Sequence, residues 1–407
     1  MTYNFDEVLP RQGTYSVKWE YIWEGDTPVY GDHADPKHGD EQMLPMWVAD
    51  MDFQTAPPIV QALQERAAHG IFGYTKPGTA YMEAVADWTK RRYGWEIEPD
   101  WIIPAPGVVA TLHLLVKALV QPGEKVLIQR PVYFPFTAAV EHNGAVVVTN
   151  SLVYENGRYH MDFDDLAQKV ADPDLKLAIL CSPHNPVGRV WTKEELTRFG
   201  EICLANDVLV VSDEIHCDLI HSGHTFTSFA SIRSEFAQNS VTCIAASKTF
   251  NLAGLKTSST IIANDDLRQK FNDTLMNSGI FGVNGLGLVA TEAAYRHGED
   301  WLTAVLAYIE ANYKYMADYL TECVPQIKPV PLEGTYLSWL DCSELGLSQE
   351  ELKTFFREEV RLLLNSGDVF GEEGTGFMRI NLACHRPILV KAMERLRTAV
   401  AHLRNGN

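Results

Sequence analysis

Chemistry-bearing side chains collect at the ends of short apolar runs in this 407-residue chain. Val126 to Gln129 is followed by Arg130-Pro131-Val132-Tyr133, and Leu177 to Cys181 by Ser182-Pro183-His184-Asn185-Pro186-Val187-Gly188-Arg189. Val208 to Ser212 leads into Asp213-Glu214-Ile215-His216, and Val241 to Ala246 into Ser247-Lys248-Thr249-Phe250-Asn251. Pro104-Ala105-Pro106-Gly107 precedes a strongly periodic apolar segment. Brought to one crevice, Tyr133 offers a planar ring, Asn185 an amide, Asp213 a carboxylate and Lys248 a primary amine. Lysine forms Schiff bases with carbonyls, and a carboxylate holds a pyridine nitrogen protonated. Gly107 lets the backbone approach a ligand closely, and the unpaired N–H groups of Val108 and Val109 at a helix start suit a phosphate. Ring, amine, acid and anion cradle together are what pyridoxal 5′-phosphate requires.

The elements that must bring these residues together are legible in the hydrophobic pattern. The runs above, with Ala145 to Thr149 and Ser259 to Ile262, are apolar on both faces and read as buried strands. Helical patterns lie between them. Val108, Val109, Leu112, Leu115, Val116, Leu119 and Val120 share one face at 3.6-residue spacing, and Thr192 with Glu195 forms a capping box ahead of Leu196, Phe199 and Cys203. Strands alternating with amphipathic helices predict an α/β fold, a mostly parallel sheet covered by helices, over residues 50–290. In such sheets ligands bind beyond the carboxyl ends of the strands, where the residues above collect. A smaller C-terminal α/β domain is expected over 291–407, with a long helix (Leu302, Val305, Leu306, Ile309, Tyr313, Met316, Leu320), a strand at Gly334 to Asp341, a helix around 348–362, a strand at Phe377 to Ala383 and a terminal helix. Residues 1–49, rich in proline and aromatics, are expected to attach to it as an arm.

The motifs Met46-Trp47-Val48-Ala49-Asp50-Met51-Asp52-Phe53, Phe72-Gly73-Tyr74, Asn185-Pro186-Val187-Gly188-Arg189, Asp213-Glu214-Ile215-His216, Ser247-Lys248-Thr249-Phe250-Asn251-Leu252-Ala253-Gly254-Leu255 and Met378-Arg379-Ile380 follow one another in family order. With them the chain resembles a fold-type I pyridoxal-phosphate enzyme of the class I/II aminotransferase superfamily, in its cystathionine β-lyase (MalY/PatB-type) branch. The resemblance implies that Lys248 carries the cofactor and moves the substrate Cα proton. Asp213 would pair with the pyridinium nitrogen, Asn185 would bond the ring hydroxyl and Tyr133 would stack on the ring. Gly107, Val108 and Ser247 would bind the phosphate, joined by Tyr74 from the other subunit of a homodimer. Arg379 would clamp the substrate α-carboxylate through a bidentate pair, with Trp47, Ala49 and Asp50 bordering the substrate. Two positions depart from the wider aminotransferase pattern. His216 stands where tyrosine is frequent, as in the lyase branch, and Lys256 replaces the phosphate-binding arginine, a point charge for a fork. The implied reaction is α,β-elimination of L-cystathionine or related cysteine S-conjugates to thiol, pyruvate and ammonia, with an aminotransferase as the alternative.

Composition narrows the remaining classes. With 34 Lys+Arg against 53 Asp+Glu the net charge is −19, which disfavours nucleic acid and anionic membranes as partners. No apolar run approaches the roughly 18 residues of a membrane span, and MTYNFDEVLP has no signal-like pattern, so a cytoplasmic location is expected. Seven cysteines without C-x-x-C spacing read as reduced thiols. His216, Cys217, His221 and His224 fit no zinc spacing, so no metal is expected. Gly285-Leu286-Gly287 follows no strand and reads as a glycine-loosened helix start rather than a dinucleotide fingerprint.

Overall fold

Residues apolar on both faces form the centre of a seven-stranded mixed sheet in the computed structural model, which describes residues 3–24, 27–30 and 42–405. Its strands are β1 (Ile102–Ala105), β2 (Lys125–Ile128), β3 (Val146–Thr149), β4 (Leu175–Cys181), β5 (Leu209–Asp213), β6 (Ser240–Ile244) and β7 (Ser258–Ile261). Their order is β1-β7-β6-β5-β4-β2-β3, and only β7 runs against its neighbours. β6 is buried along its whole length, and β4 and β5 at all but one residue, as expected of strands covered on both faces. The sequence pattern missed β1. Pro104 sits inside it and lacks an N–H, which the sheet tolerates because β1 is an edge strand.

The helices that matter for the site are α1 (Pro57–Ala68), α2 (Thr79–Tyr93), α3 (Val108–Leu119), α4 (Lys193–Ala205), α5 (Asp265–Asn277), α6 (Gly285–His297), α7 (Glu299–Cys323) and α8 (Arg386–Asn405). α3 buries Val108, Leu112, Leu115 and Val116 as its periodicity predicts. Val109 is 39% exposed, however, so the apolar stripe is narrower than the sequence suggests. The Thr192/Glu195 capping box opens α4 with both reciprocal bonds made. Asn284 caps α6, and a Cβ on Gly287 would lie 2.0 Å from Thr257 Oγ1. That glycine is therefore needed for the helix start to abut the segment after Lys256.

A four-stranded antiparallel sheet follows, built of β8 (Lys328–Pro329), β9 (Leu337–Asp341), β10 (Asn365–Ser366) and β11 (Phe377–Asn381) in the order β8-β9-β11-β10. α7 buries Leu302, Val305, Ile309, Met316 and Leu320. The helix expected over 348–362 is shorter: Gln349–Thr354 is α-helical, Phe355–Glu359 widens into a π turn, and Leu362–Leu363 pairs in parallel with Leu44–Pro45. That pairing lays residues 44–53 across the opening between the two sheets. The arm anticipated over 1–49 is partly described, and residues 1–2, 25–26 and 31–41 lie outside the described residues. Among the described residues no helix is long and apolar enough to cross a membrane.

Candidate active site

Asp213 is the last residue of β5, flanked in register by Cys181 of β4 and Cys243 of β6. Between two thiols and out of water, its carboxyl is pushed up to about 7 by burial, against the Ile215 N–H at 3.1 Å and the charge of Lys248. Lys248 lies on the short helix Ala246–Thr249 that follows β6. Its amine donates to the Ala49 carbonyl at 2.6 Å. Burial lowers its pKa to about 8; Arg379 and Lys256 push the same way, while Asp50 and Asp213 oppose them.

Arg379, on β11, faces the amine from the second sheet and is only 3% exposed. Its guanidinium donates to Asn185 Oδ1 at 2.9 Å, to the Trp47 carbonyl at 3.1 Å and to Asn365 Oδ1 at 2.6 Å. Its Nε is buried without a partner, and none of the ion pairs among the described residues involves it. A buried cation with neutral acceptors and no carboxylate is a site awaiting an anion. His216 is buried in the turn after β5 with Nδ1 unpartnered; burial first, then Lys248 and Arg379, lower its pKa. Tyr133 is half-buried, and its N–H bonds the Asn185 carbonyl at 3.1 Å.

Gly107 caps α3 with φ 105°, a conformation that side chains rarely adopt, and nothing lies within 4 Å of where its Cβ would be. β1 and β6 run in the same direction, so Gly107 and Val108 after β1 and Ser247 after β6 emerge at one edge of the sheet. Val109 follows in the same first turn, its N–H among those a helix leaves without an internal acceptor. Lys256 takes a left-handed φ of 48° just before β7. Lys248, Lys256, Tyr133, Arg379, Trp47, Ala49 and Asp50 line one cleft of about 1470 Å³. Asn185 joins them through Arg379. Tyr74 lies apart, fully exposed and outside the cleft lining.

Other residues hold the wall of the cleft and were not singled out from the sequence. Asn381 Nδ2 donates to the Val48 and Asp50 carbonyls at 2.6 and 2.7 Å, and Asn251 Nδ2 to those of Met51 and Phe53 at 2.9 and 3.0 Å. Tyr336 donates its hydroxyl to the Ala49 carbonyl at 2.9 Å, beside the Lys248 amine. Arg11 bonds both Asp50 and Asp52 at 3.0 Å, and buried Lys18 reaches Asp52 at 2.7 Å. Asn251, with φ 58°, carried a local signal in its motif. Asn381 and Tyr336 carried none, because their partners are about 300 residues away in the chain. Of the residues weighed as metal ligands, Cys217 Sγ lies 3.0 Å from the Tyr93 hydroxyl and His221 Nε2 2.8 Å from the Thr335 carbonyl.

The residues present fit pyridoxal 5′-phosphate. The unpartnered His216 Nδ1 and Arg379 Nε, the buried carboxyl of Asp213 and the open cradle at Gly107 each leave a polar requirement that the phosphorylated ring or its amino-acid ligand would meet. Cystathionine beta-lyase PatB of Bacillus subtilis is 43% identical over 98% of this chain and all of its own length. Protein MalY of Escherichia coli is 31% identical over 99% of the chain and all of its own. The crystal structure of cystalysin from Treponema denticola, which contains a pyridoxal 5′-phosphate cofactor, superposes with a TM-score of 0.92 at 34% identity, covering 99% of this chain and all of that one. The model of the aminotransferase class I and II family matches residues 41–396, and the chain belongs to that pyridoxal-phosphate-dependent family.

Proposed function

We propose that this protein is a pyridoxal 5′-phosphate-dependent carbon–sulfur β-lyase that carries out α,β-elimination on L-cystathionine and related cysteine S-conjugates, releasing a thiol such as homocysteine, pyruvate and ammonia. The observation that carries the proposal is one cleft lined by both the Lys248 amine and a buried Arg379 that has no carboxylate partner among the described residues. The full-length similarity to PatB supports the choice of reaction over transamination.

When bound, the cofactor supplies an electron sink for charge developing at the substrate Cα. Asp213 would hold its ring nitrogen, Asn185 its ring hydroxyl and Tyr133 its face, with His216 in the same turn as Asp213. Gly107, Val108, Val109 and Ser247 offer N–H and hydroxyl donors to the phosphate, and Lys256 adds a positive charge. Arg379 receives the substrate α-carboxylate through two parallel bonds, orienting the Cα–H toward Lys248. Trp47, Ala49 and Asp50 border the substrate. With a pKa near 8 rather than 10.5, Lys248 is in part neutral at physiological pH and takes the Cα proton at Nζ. A thiolate, from an acid of pKa about 8.5, leaves Cβ far more readily than an alkoxide.

The active form we propose is a homodimer in which Tyr74 of the partner subunit completes the phosphate site. Exposed Ile71, Phe72, Tyr74 and Phe281 support this, since monomers seldom leave such residues together in water. Cytoplasmic residence belongs to the same reading, supported by seven free cysteines, six of them buried. So does a division into an arm (1–49), a large cofactor-binding domain (50–290) and a small domain (291–407), supported by the separate sheets.

The test is an absorbance spectrum of the purified protein before and after L-cystathionine, with pyruvate and free thiol assayed in the same sample. A visible band with both products is expected. Conversion of the cofactor to its amine form, with turnover dependent on a keto acid, would make the protein an aminotransferase. No pyruvate or thiol from cystathionine, cystine or S-alkylcysteine would overturn the lyase reading.

A further inference from the structure

Five residues beyond Asp213, the turn after β5 carries a buried carboxylate that the chemistry above does not use. Asp218 is 1% exposed. Its Oδ1 accepts from the Tyr93 hydroxyl at 2.6 Å and its Oδ2 from the Thr249 hydroxyl at 2.9 Å, while Trp88 Nε1 is 3.2 Å from both oxygens. The cation beside it among the described residues is Arg92, whose Nε stands 3.6 Å away. The surroundings are aromatic: Trp88 stacks on Tyr295 at 5.0 Å and meets Phe250 edge-on at 5.9 Å. Burying a carboxylate in such a place carries a desolvation cost that these hydrogen bonds and the nearby cation offset.

What those bonds order is the lysine. Thr249 adjoins Lys248 in a helix of four residues, too short to be stable on its own hydrogen bonds. Asp218 itself belongs to the turn bearing Asp213 and His216, closed by the Cys217 N–H on the Glu214 carbonyl at 3.0 Å and the Leu219 N–H on the His216 carbonyl at 2.9 Å. One carboxylate thus ties the turn with Asp213 and His216 to the turn with Ser247 and Lys248, and both to α2 through Trp88 and Tyr93.

We infer that Asp218 is a positioning residue: through the Thr249 hydroxyl it sets the separation between the Lys248 amine and the Asp213 carboxyl, and with it the retention of a cofactor attached to one and paired with the other. The inference rests on the cofactor assignment and is independent of substrate and reaction.

The experiment follows release of the cofactor from the holoenzyme, as loss of the visible band during dialysis, together with the thermal midpoint of each cofactor-free variant. Thr249→Val is expected to speed release about tenfold or more, the loss of a hydrogen bond to a charged group. Thr249→Ser, which keeps the hydroxyl, should stay within about twofold of the parent. Tyr93→Phe removes a donor on the side of Asp218 away from the lysine, so it should lower the thermal midpoint and leave release within about twofold. Asp218→Asn combined with Thr249→Val should be less than the product of the two single effects. Release rates that track thermal midpoint alike for Thr249→Val and Tyr93→Phe would make Asp218 merely structural and overturn the inference, as would Thr249→Ser releasing cofactor as fast as Thr249→Val. Parent protein without a visible band would remove the cofactor assignment, and this inference with it.

Discussion

Replacing Arg379 by methionine should separate stability from activity. Burial lowers the guanidinium pKa from an ordinary 12.5 to about 10. At about 1.36 kcal/mol per tenfold, the cleft disfavours this cation by about 3 kcal/mol relative to water. Three neutral acceptors offset part of that cost, namely Asn185 Oδ1, the Trp47 carbonyl and Asn365 Oδ1. Methionine removes the buried charge and leaves acceptors beside an open cleft, where water can replace the lost donors at about 1 kcal/mol each. The two effects nearly cancel, so the thermal midpoint of the cofactor-free variant should stay within about 2 °C of the parent. Catalysis should not survive. Losing the partner of a buried carboxylate costs about 2–5 kcal/mol, a fall in kcat/KM of about 30-fold to several thousandfold. Pyruvate release from L-cystathionine and thermal unfolding of the same preparations are the assays. A variant that loses several degrees yet keeps kcat/KM within tenfold would refute the reasoning, because Arg379 would then be a structural donor and the carboxylate site would lie elsewhere.

Other expectations follow from the same geometry. The cofactor-free protein releases the Lys248 proton near pH 8 and its unfolded chain near 10.5, so folded stability relative to Lys248→Met should rise with pH across that window in denaturant titrations; a flat difference would contradict the burial of the amine. Asp213 has the opposite sign. With a folded value of about 7 against an ordinary 3.8, the native state holds the extra proton, stability falls as pH rises from about 4 to about 7, and Asp213→Asn should make that fall shallower, with Glu214 supplying the remainder. Gly287→Ala drives a Cβ to 2.0 Å from Thr257 Oγ1 and should cost about 1–3 kcal/mol in chemical denaturation, along with weaker cofactor retention. Mixing inactive Tyr74→Ala with inactive Lys248→Ala protomers should recover activity if Tyr74 crosses the dimer, since one site of the mixed dimer is then intact; no recovery would sink the shared site.

The parts of the site legible in the sequence were those whose residue type carries the chemistry. Lys248, Asp213 and Asn185 follow strands with apolar faces, and the strand pattern alone placed them on one sheet edge. β1 escaped because Pro104 breaks the strand signal, and only its edge position makes the proline harmless. The helix over 348–362 was overextended because hydrophobic spacing continues through Phe355 and Phe356, whereas the backbone widens into a π turn and leaves to pair with Leu44–Pro45. Least legible were the clamps. Asn381 and Tyr336 bond carbonyl oxygens about 300 residues away, and a backbone carbonyl has no sequence identity to read.

The three ionisable groups central to the cleft share one departure. Lys248 and Arg379 are lowered and Asp213 is raised, each chiefly by burial, so the fold holds every one of them away from its favoured charge state. An amino-acid carboxylate and a protonated ring nitrogen are the charges that would relieve Arg379 and Asp213. Without ligand the cleft is therefore destabilised in the places that a bound cofactor and substrate would stabilise, and a ligand binding only the native state shifts unfolding by mass action. It follows that the cofactor should raise the thermal midpoint of the parent by more than it raises that of Asp213→Asn, whose amide has no charge to be relieved. Equal increments in the two proteins would mean that the Asp213 carboxyl does not face the ring.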